Sequence, residues 1–247
     1  MGLPPTASPG VRGEADGGVR ADCTGGHVHD QPFEYSEARS LGLVAAMSPA
    51  RFATYRGATG SDVEALRLYT WNTAVAAAFY GPLQTLEVTL RNAVHDALSA
   101  SRGVRWFDDG AVLRPAELRV VGDVTQRLHD LGRQPTPGRV VAELSYGFWV
   151  GLFANAYDST IWRTELHKVF TPRVKDRRGL HDALDRLRTL RNRIAHHEPV
   201  FQRMLEDDYR RIRNVVGFLN PPTLAWLDHH STVPSTIGLR PVSTRTV

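Results

Sequence analysis

Three polar residues near the end of a leucine-rich segment carry side chains that suit phosphodiester chemistry. They are Arg191, Asn192 and His196, in the stretch that reads LRNRIAHHEPV from residue 190 to residue 200. RNA can be cut without a metal because its own 2′-OH can attack the adjacent phosphate. Histidine suits the proton transfers of that reaction, and the permanently charged arginine fork suits the oxygens of the phosphorane. We therefore assign His196 as general acid/base, Arg191 as phosphorane stabiliser and Asn192 as a positioning residue.

The apolar residues around this group recur at spacings of three and four, which predicts an amphipathic helix with one buried stripe. Pro199 disfavours helical geometry at Glu198, so the helix is expected to end at or near His197. Arg191 and His196 are then roughly 140° apart around the helix. A long arginine side chain and a histidine near the helix end can still converge on one groove. The stripe consists of Leu180, Ala183, Leu184, Leu187, Leu190 and Ile194.

The neighbouring residues leave alternatives open. His197 competes with His196 for the catalytic role, and Arg193 is a candidate for additional attraction of phosphate. An ordinary helix end is the other explanation of the whole group. In that case the arginines are surface charges, and the histidine pair is favoured by the negative end of the helix dipole.

Three segments of the chain follow one another in the order typical of a known family. They are LYTWNTAVAAAFYGPLQTLEVTLRNAVHDAL (residues 68–98), ELSYGFWVGLF (143–153) and LRTLRNRIAHHEPVF (187–201). The last contains an arginine, a polar residue, three further residues and a histidine near a helix end. In this pattern the chain resembles the HEPN superfamily and, within it, the Abi-like (abortive infection) proteins. The resemblance covers most of residues 36–218 and supports the same site residues, Arg191, Asn192 and His196.

The resemblance implies a metal-independent endoribonuclease of the toxin type that needs no cofactor. One motif supplies one histidine and one arginine per chain, whereas the reaction needs both an acid and a base. The family accordingly implies a homodimer whose two motifs face each other across a shared cleft. It also implies a role in phage defence, in which RNA cleavage halts the growth of an infected cell, and an antitoxin or regulatory partner as a further candidate.

An earlier polar group, Glu87, Arg91 and Asn92, has two interpretations. Glu87 and Arg91 are four residues apart on a predicted helix, in the order that favours a surface ion pair. The resemblance instead suggests that all three residues border the same groove as the later motif. The spacing from Arg91 to His95 is one residue short of the motif, so His95 is not assigned a catalytic role.

Aromatic residues of the middle segment are interpreted as core residues, with base stacking as the alternative. They are Tyr146, Phe148, Trp149 and Phe153. Trp71 and Asn72 are interpreted in the same way as packing residues, with Asn72 as a candidate buried amide.

Helical periodicity is nearly continuous from Ser36, and no series of alternating strands interrupts it. We predict an all-α helical bundle of the HEPN type with additional N-terminal helices. Residues 1–35 are expected to form a disordered leader, 36–219 the Abi-like domain and 220–247 an irregular C-terminal tail.

Several helix boundaries follow from local signals. Asp62 is expected to cap a long helix that ends near Phe79, because the Gly81-Pro82 pair breaks it and Pro82 opens the next helix. Gly103 should end that second helix. Further helices are expected near 41–47, from Pro49, over 115–131 and 138–157, and after Pro199, with an irregular stretch around residues 162–170.

Composition limits the function classes. The hydrophobic fraction of 42% and the charged fraction of 23% are those of an ordinary soluble globular protein. A net charge of +4 permits an anionic partner such as RNA without requiring one. The single cysteine, Cys23, excludes an intrachain disulfide and a cysteine-rich zinc site. No apolar run is long enough for a membrane helix, so a cytoplasmic location is expected.

Two rival functions remain open at this point. The first is a helical module that binds RNA or a protein without cutting, with Arg91, Arg191 and Arg193 as phosphate contacts. The second is a DNA-binding regulator built on a helix-turn-helix, which would give His196 no role.

Overall fold

The computed structural model describes residues 33–172, 174 and 176–244, and every regular element in these ranges is helical. The predicted all-α class is therefore confirmed. The helices lie in a compact unit that begins at Glu37. Apart from residues 33–35, which have no regular secondary structure, the predicted leader lies outside the described residues.

Ten α-helices succeed one another along the described part of the chain. They are α1 (Glu37–Ala46), α2 (Pro49–Arg56), α3 (Asp62–Arg102), α4 (Pro115–Asp130), α5 (Pro137–Glu143), α6 (Tyr146–Gly151), α7 (Arg177–Ala195), α8 (Leu205–Leu219), α9 (Pro221–His230) and α10 (Val233–Gly238). Single turns of 3₁₀ or π geometry at Trp106–Asp108, Asn155–Tyr157, Asp158–Trp162 and Leu166–Val169 form the irregular stretches. The predicted starts of α2 and α4 at Pro49 and Pro115 are confirmed.

Helix α3 is the central element, because α2, α6, α7, α8, α9 and α10 all contact it. Its N-cap is Ser61, whose side chain accepts a hydrogen bond from the Glu64 N–H, so the assignment of Asp62 as N-cap is wrong by one residue. Gly103, with a φ of 90°, ends the helix as predicted.

The predicted break at Gly81-Pro82 is wrong, since α3 runs through both residues. An internal proline costs about 3 kcal/mol because it removes one backbone donor and crowds the preceding turn. Pro82 itself is buried, and so are Phe79, Leu83 and Leu86 around it. Each large buried side chain contributes about 1.5 to 3 kcal/mol, so the stripe outweighs the local cost.

Residues 138–157 do not form the single helix that was expected. Leu144 adopts an extended conformation between α5 and α6, and the Ser145 hydroxyl then caps α6 by accepting from the Phe148 N–H. The aromatic residues that follow are buried, which confirms the core interpretation: Tyr146, Phe148, Trp149 and Phe153.

The expectation of an irregular tail after Asn220 is also wrong, because α9 and α10 occupy most of it. The Pro, Thr and Ser content of this segment indicated an irregular tail, but proline is well tolerated in the first turn of a helix, where its missing N–H has no helical partner. Asn220 caps α9 by accepting from the Thr223 N–H. The Trp71 indole donates to the Thr236 carbonyl at 2.8 Å, which ties α10 to α3.

Candidate functional site

Helix α7 carries the predicted motif and is held by one buried face. Asp176 caps its start by accepting from the Gly179 N–H. Four leucines of the predicted stripe are buried: Leu180, Leu184, Leu187 and Leu190. The helix ends at Ala195, with His196 as its cap, close to the predicted end at His197.

The end of α7 is closed by a Schellman arrangement, in which the chain turns back over the last carbonyls. His197 has a φ of 56°, in the left-handed region. Its N–H bonds to the Ile194 carbonyl at 3.1 Å, and the Glu198 N–H bonds to the Arg193 carbonyl at 2.8 Å. The backbone of His197 therefore terminates the helix, whereas His196 keeps an ordinary conformation with its side chain exposed.

Arg193 stabilises the same turn through its side chain. Its guanidinium donates to the Pro199 carbonyl at 3.3 Å and lies 3.9 Å from the Glu198 carboxylate. In this arrangement the side chain reaches the helix end and does not line the cavity described below.

Asn72 of α3 fixes the chain that leaves the motif. Its side-chain oxygen accepts hydrogen bonds from the N–H groups of Val200 at 2.8 Å and Phe201 at 3.1 Å. The asparagine is buried, so the candidate buried amide is confirmed. These two bonds hold the segment after α7 against the central helix.

A cavity of about 380 Å³ lies between α3 and α7 and brings together two of the predicted polar groups. Glu87 and Arg91 line it from α3, and Arg191 lines it from α7. The remaining wall consists of Tyr80, Leu83, Gln84, Val88, Ile194 and Ala195.

The charged groups of this cavity pair across the two helices and not along α3. The Glu87 carboxylate lies 3.8 Å from the Arg191 Nε. Within the described residues no ion pair joins Glu87 to Arg91, so the simple i, i+4 surface pair is not formed. One terminal nitrogen of Arg91 makes a long contact of 3.5 Å to the Ala142 carbonyl, and its buried Nε has no hydrogen-bond partner. The second terminal nitrogen of Arg91 and the guanidinium of Arg191 make no hydrogen bond within the described residues, so both side chains retain donors for an incoming anion.

Tyr146, which the sequence indicates as a core residue with base stacking as the alternative, is also a polar neighbour of this cluster. It is buried at the start of α6, a helix that contacts both α3 and α7. Its hydroxyl has no hydrogen-bond partner in the described part of the chain. Burial raises the pKa of this hydroxyl well above its usual range, and the nearby negative charges of Glu87 and Asp185 raise it further. The hydroxyl is thus a neutral group beside the charged cavity.

The remaining predicted residues do not line the cavity. His196 is exposed just beyond Ala195, which is part of the cavity wall. Asn192 is half-buried one residue after Arg191, and Asn92 is exposed on α3. The structure thus places Glu87, Arg91 and Arg191 together and leaves His196 at the adjacent helix end. His95 accepts a hydrogen bond from the Trp106 indole at 3.1 Å, which gives it a packing contact.

Two negative findings concern metal binding and membranes. Across residues 33–172, 174 and 176–244, no three His, Cys, Asp or Glu side chains are grouped so that they could hold a metal ion. None of the helices in these ranges has the combination of length and apolar character needed to cross a bilayer.

Comparisons of the chain with protein-family models, with curated proteins and with solved structures gave no match. The resemblance to the Abi-like proteins therefore stays a prediction from the sequence motifs.

Proposed function

We propose that this protein is a metal-independent endoribonuclease of the abortive-infection type, an Abi-like member of the HEPN superfamily that acts on RNA in the cytoplasm. The observation that supports this most is the shared cavity between α3 and α7. Arg191 of the motif reaches it from one helix, and Glu87 and Arg91 reach it from the other.

In the proposed reaction the arginines hold the scissile phosphate. Arg191 now faces Glu87 at 3.8 Å, and its side chain is 43% exposed. Exposed ion pairs of this kind contribute only about 0 to 1 kcal/mol, so a phosphate can displace the carboxylate at small cost. Arg91 can donate to the same anion from its second terminal nitrogen, which makes no hydrogen bond among the described residues. Both guanidinium groups would then stabilise the charge that develops on the phosphorane.

His196 supplies the proton transfers. As base it removes the proton of the 2′-OH while O2′ bonds to phosphorus, and an acid protonates the departing O5′ as the P–O5′ bond breaks. The products are a 2′,3′-cyclic phosphate and a 5′-OH. Each chain provides one His196, so we propose a homodimer in which a second copy supplies the other proton-transfer group. The exposed position of His196 at the end of α7 leaves it accessible to that copy.

The proposal is tested by incubating end-labelled RNA with the protein in excess EDTA, beside a DNA version of the same sequence. We expect the wild type to cut RNA alone and to leave 2′,3′-cyclic phosphate ends. His196→Ala should slow cutting by roughly 10²- to 10⁴-fold and Arg191→Ala by roughly 10²- to 10³-fold. Arg105→Ala is the matched control, because Arg105 forms a surface pair with Asp108 outside the cavity.

Equal cutting by His196→Ala and the wild type would refute the assignment, and so would cutting that EDTA abolishes. The proposed homodimer is tested separately by measuring the mass of the protein in solution by light scattering. A monomer that cuts RNA at full rate would refute the shared cleft. An antitoxin or regulatory partner, if it acts at this site, should cover Arg191 and protect the RNA from cutting.

A non-catalytic RNA- or protein-binding module is the second candidate. It is favoured by the position of His196 outside the cavity, because the described residues that line the cavity include Arg91 and Arg191 but no histidine. In that case the wild type and His196→Ala should bind RNA equally and neither should cut it, whereas Arg91→Ala and Arg191→Ala should weaken binding.

A further inference from the structure

A second cavity of about 380 Å³ lies between α3 and α9. Gln84 and Val88, one turn apart on α3, line both this cavity and the charged cavity against α7. The two cavities are therefore neighbours that share a wall on one helix. We refer to the second one as the α9 groove.

The two cavities differ in chemistry. The α7 cavity contains the charged groups Glu87, Arg91 and Arg191. Among the described residues that line the α9 groove, none is Asp, Glu, Lys or Arg. Its walls combine apolar side chains with glutamine, threonine, serine and histidine. Such a groove suits a flat, uncharged group with polar edges, and it does not suit a phosphate.

Trp226 of α9 gives this groove an aromatic surface. It is 58% exposed, whereas the other four of the five tryptophans are at most 6% exposed. Its ring lies 5.2 Å from that of His230, one turn further along the helix. An exposed tryptophan beside a groove presents a face on which a base can stack, and such stacking does not depend strongly on which base it is.

Gln84 adds a group that can form hydrogen bonds with the edge of a base. Its amide has both donors and an acceptor, and no side-chain hydrogen bond engages it within the described residues. Thr223, by contrast, donates its hydroxyl proton to Asn220 at 2.9 Å and retains only acceptor capacity. Gln84 also lies between the two cavities. A nucleotide with its base in one cavity and its phosphate in the other would therefore contact it.

We propose that the α9 groove binds a nucleobase of the RNA strand, stacked on Trp226 and contacted by Gln84, while the adjoining phosphodiester occupies the α7 cavity. This inference rests on the proposed function and identifies where the strand lies. A docked protein helix is the competing occupant of such a groove. It would leave the polar groups of the wall without partners, which is costly, whereas the edge of a base satisfies them. The volume also falls in the range of about 300 to 1,000 Å³ found for small-ligand sites.

The direct test uses the fluorescence of Trp226. Because the other tryptophans are buried, a quencher in solution reduces mainly the fluorescence of Trp226. The probes are nucleoside 5′-monophosphates and ribose 5-phosphate, which has the same sugar and phosphate but no base. We expect the monophosphates to protect Trp226 from acrylamide and ribose 5-phosphate to have no effect. The Trp226→Phe variant gives the background, which is the fluorescence of the buried tryptophans alone. Equal effects of both probes would overturn the proposal.

The second test measures binding of fluorescein-labelled 2′-O-methyl RNA, which cannot be cut, by anisotropy. Trp226→Ala should weaken binding by roughly 5- to 150-fold, the loss expected for one stacked base. Trp226→Phe, which keeps an aromatic face, should recover most of the affinity. Met204→Ala is the matched control, because Met204 is another large exposed apolar side chain that does not line the groove.

The outcomes separate this inference from the proposed function. If Trp226→Ala binds RNA as the wild type does while Arg191→Ala binds it weakly, the base site is refuted and the ribonuclease proposal stands. If the wild type neither binds nor cuts RNA, both are refuted. If Trp226→Ala changes only the mass of the protein in solution, a second copy covers the groove and the base site is again refuted.

Discussion

Replacement of Asn72 by alanine should destabilise the protein strongly, although the residue is far from the motif in sequence. The Asn72 oxygen accepts from the N–H groups of Val200 at 2.8 Å and Phe201 at 3.1 Å. Asn72 is only 6% exposed, and both of its partner residues are buried. Alanine removes the acceptor and offers no replacement.

The magnitude follows from the two donors that lose their partner. A buried donor without a partner costs about 1 to 3 kcal/mol, so the loss should be about 2 to 6 kcal/mol in the free energy of unfolding. The upper part of that range assumes that no water enters the space left by the amide. Since domains are stable by only about 5 to 15 kcal/mol, this is a large fraction of the total.

Urea unfolding followed by circular dichroism measures the loss, and hydrogen exchange locates it. The amides of Val200 and Phe201 should exchange much faster in Asn72→Ala than in the wild type. Asn92→Ala is the matched control, because Asn92 lies on the same helix but is exposed, and its replacement should change stability by no more than about 0.5 kcal/mol. A loss below 0.5 kcal/mol in Asn72→Ala would refute the reasoning.

Two further predictions concern backbone conformation and pH. His197→Gly should raise the free energy of unfolding by about 1 kcal/mol in urea denaturation, because glycine relieves the left-handed φ of 56°. It should leave RNA cutting intact, and loss of cutting would instead make His197 the catalytic histidine. Burial is the main cause that raises the pKa of Tyr55 and of Tyr157 to about 12, against about 10 in the unfolded chain. The protonated hydroxyls therefore contribute to the free energy of unfolding in full below pH 10. This contribution is lost as the pH rises towards 12, by up to about 3 kcal/mol per tyrosine. Tyr157→Phe should show a shallower loss in urea unfolding between pH 10 and 12, and an unchanged slope would contradict this cause.

The sequence predicted those elements best whose periodicity and end signals agree. Helix α4 begins at a proline and α7 has a regular leucine stripe, and both were predicted within a few residues. The failures occurred where a local signal competed with packing that the sequence does not display. Gly81-Pro82 is a strong local break signal, yet burial of Pro82 and its neighbours keeps α3 continuous. The prolines of α9 and α10 are first-turn residues, and α9 is held by an asparagine cap.

The candidate site was predictable only in part, for a related reason. Residue types and spacing singled out Glu87, Arg91 and Arg191, but which of them share a cavity depends on how α3 packs against α7. The same holds for Tyr146, whose buried hydroxyl is next to charged groups only because α6 contacts both helices. Trp226 could not be recognised as part of a groove while its helix was assigned to an irregular tail.

The geometry of the helix end accounts for part of the RNRIAHHEP segment. His197 adopts the left-handed conformation that turns the chain, and the Glu198 N–H satisfies a carbonyl of the last turn. The Arg193 guanidinium reaches the Pro199 carbonyl across the same turn. These residues have a structural role whether or not the protein is an enzyme, and alanine variants at them would mix folding effects with chemical ones.

The other three polar residues of the segment have no comparable structural role. Arg191 makes only a 3.8 Å contact with Glu87, and neither Asn192 nor His196 forms a side-chain hydrogen bond within the described residues. A fold gains little from one long ion contact and two polar side chains that form no hydrogen bond among the described residues. These are also the three residues that the proposed cleavage by 2′-OH attack would use. Variants at Arg191, Asn192 and His196 should therefore change activity much more than stability, and an equal loss of both would argue against a catalytic role.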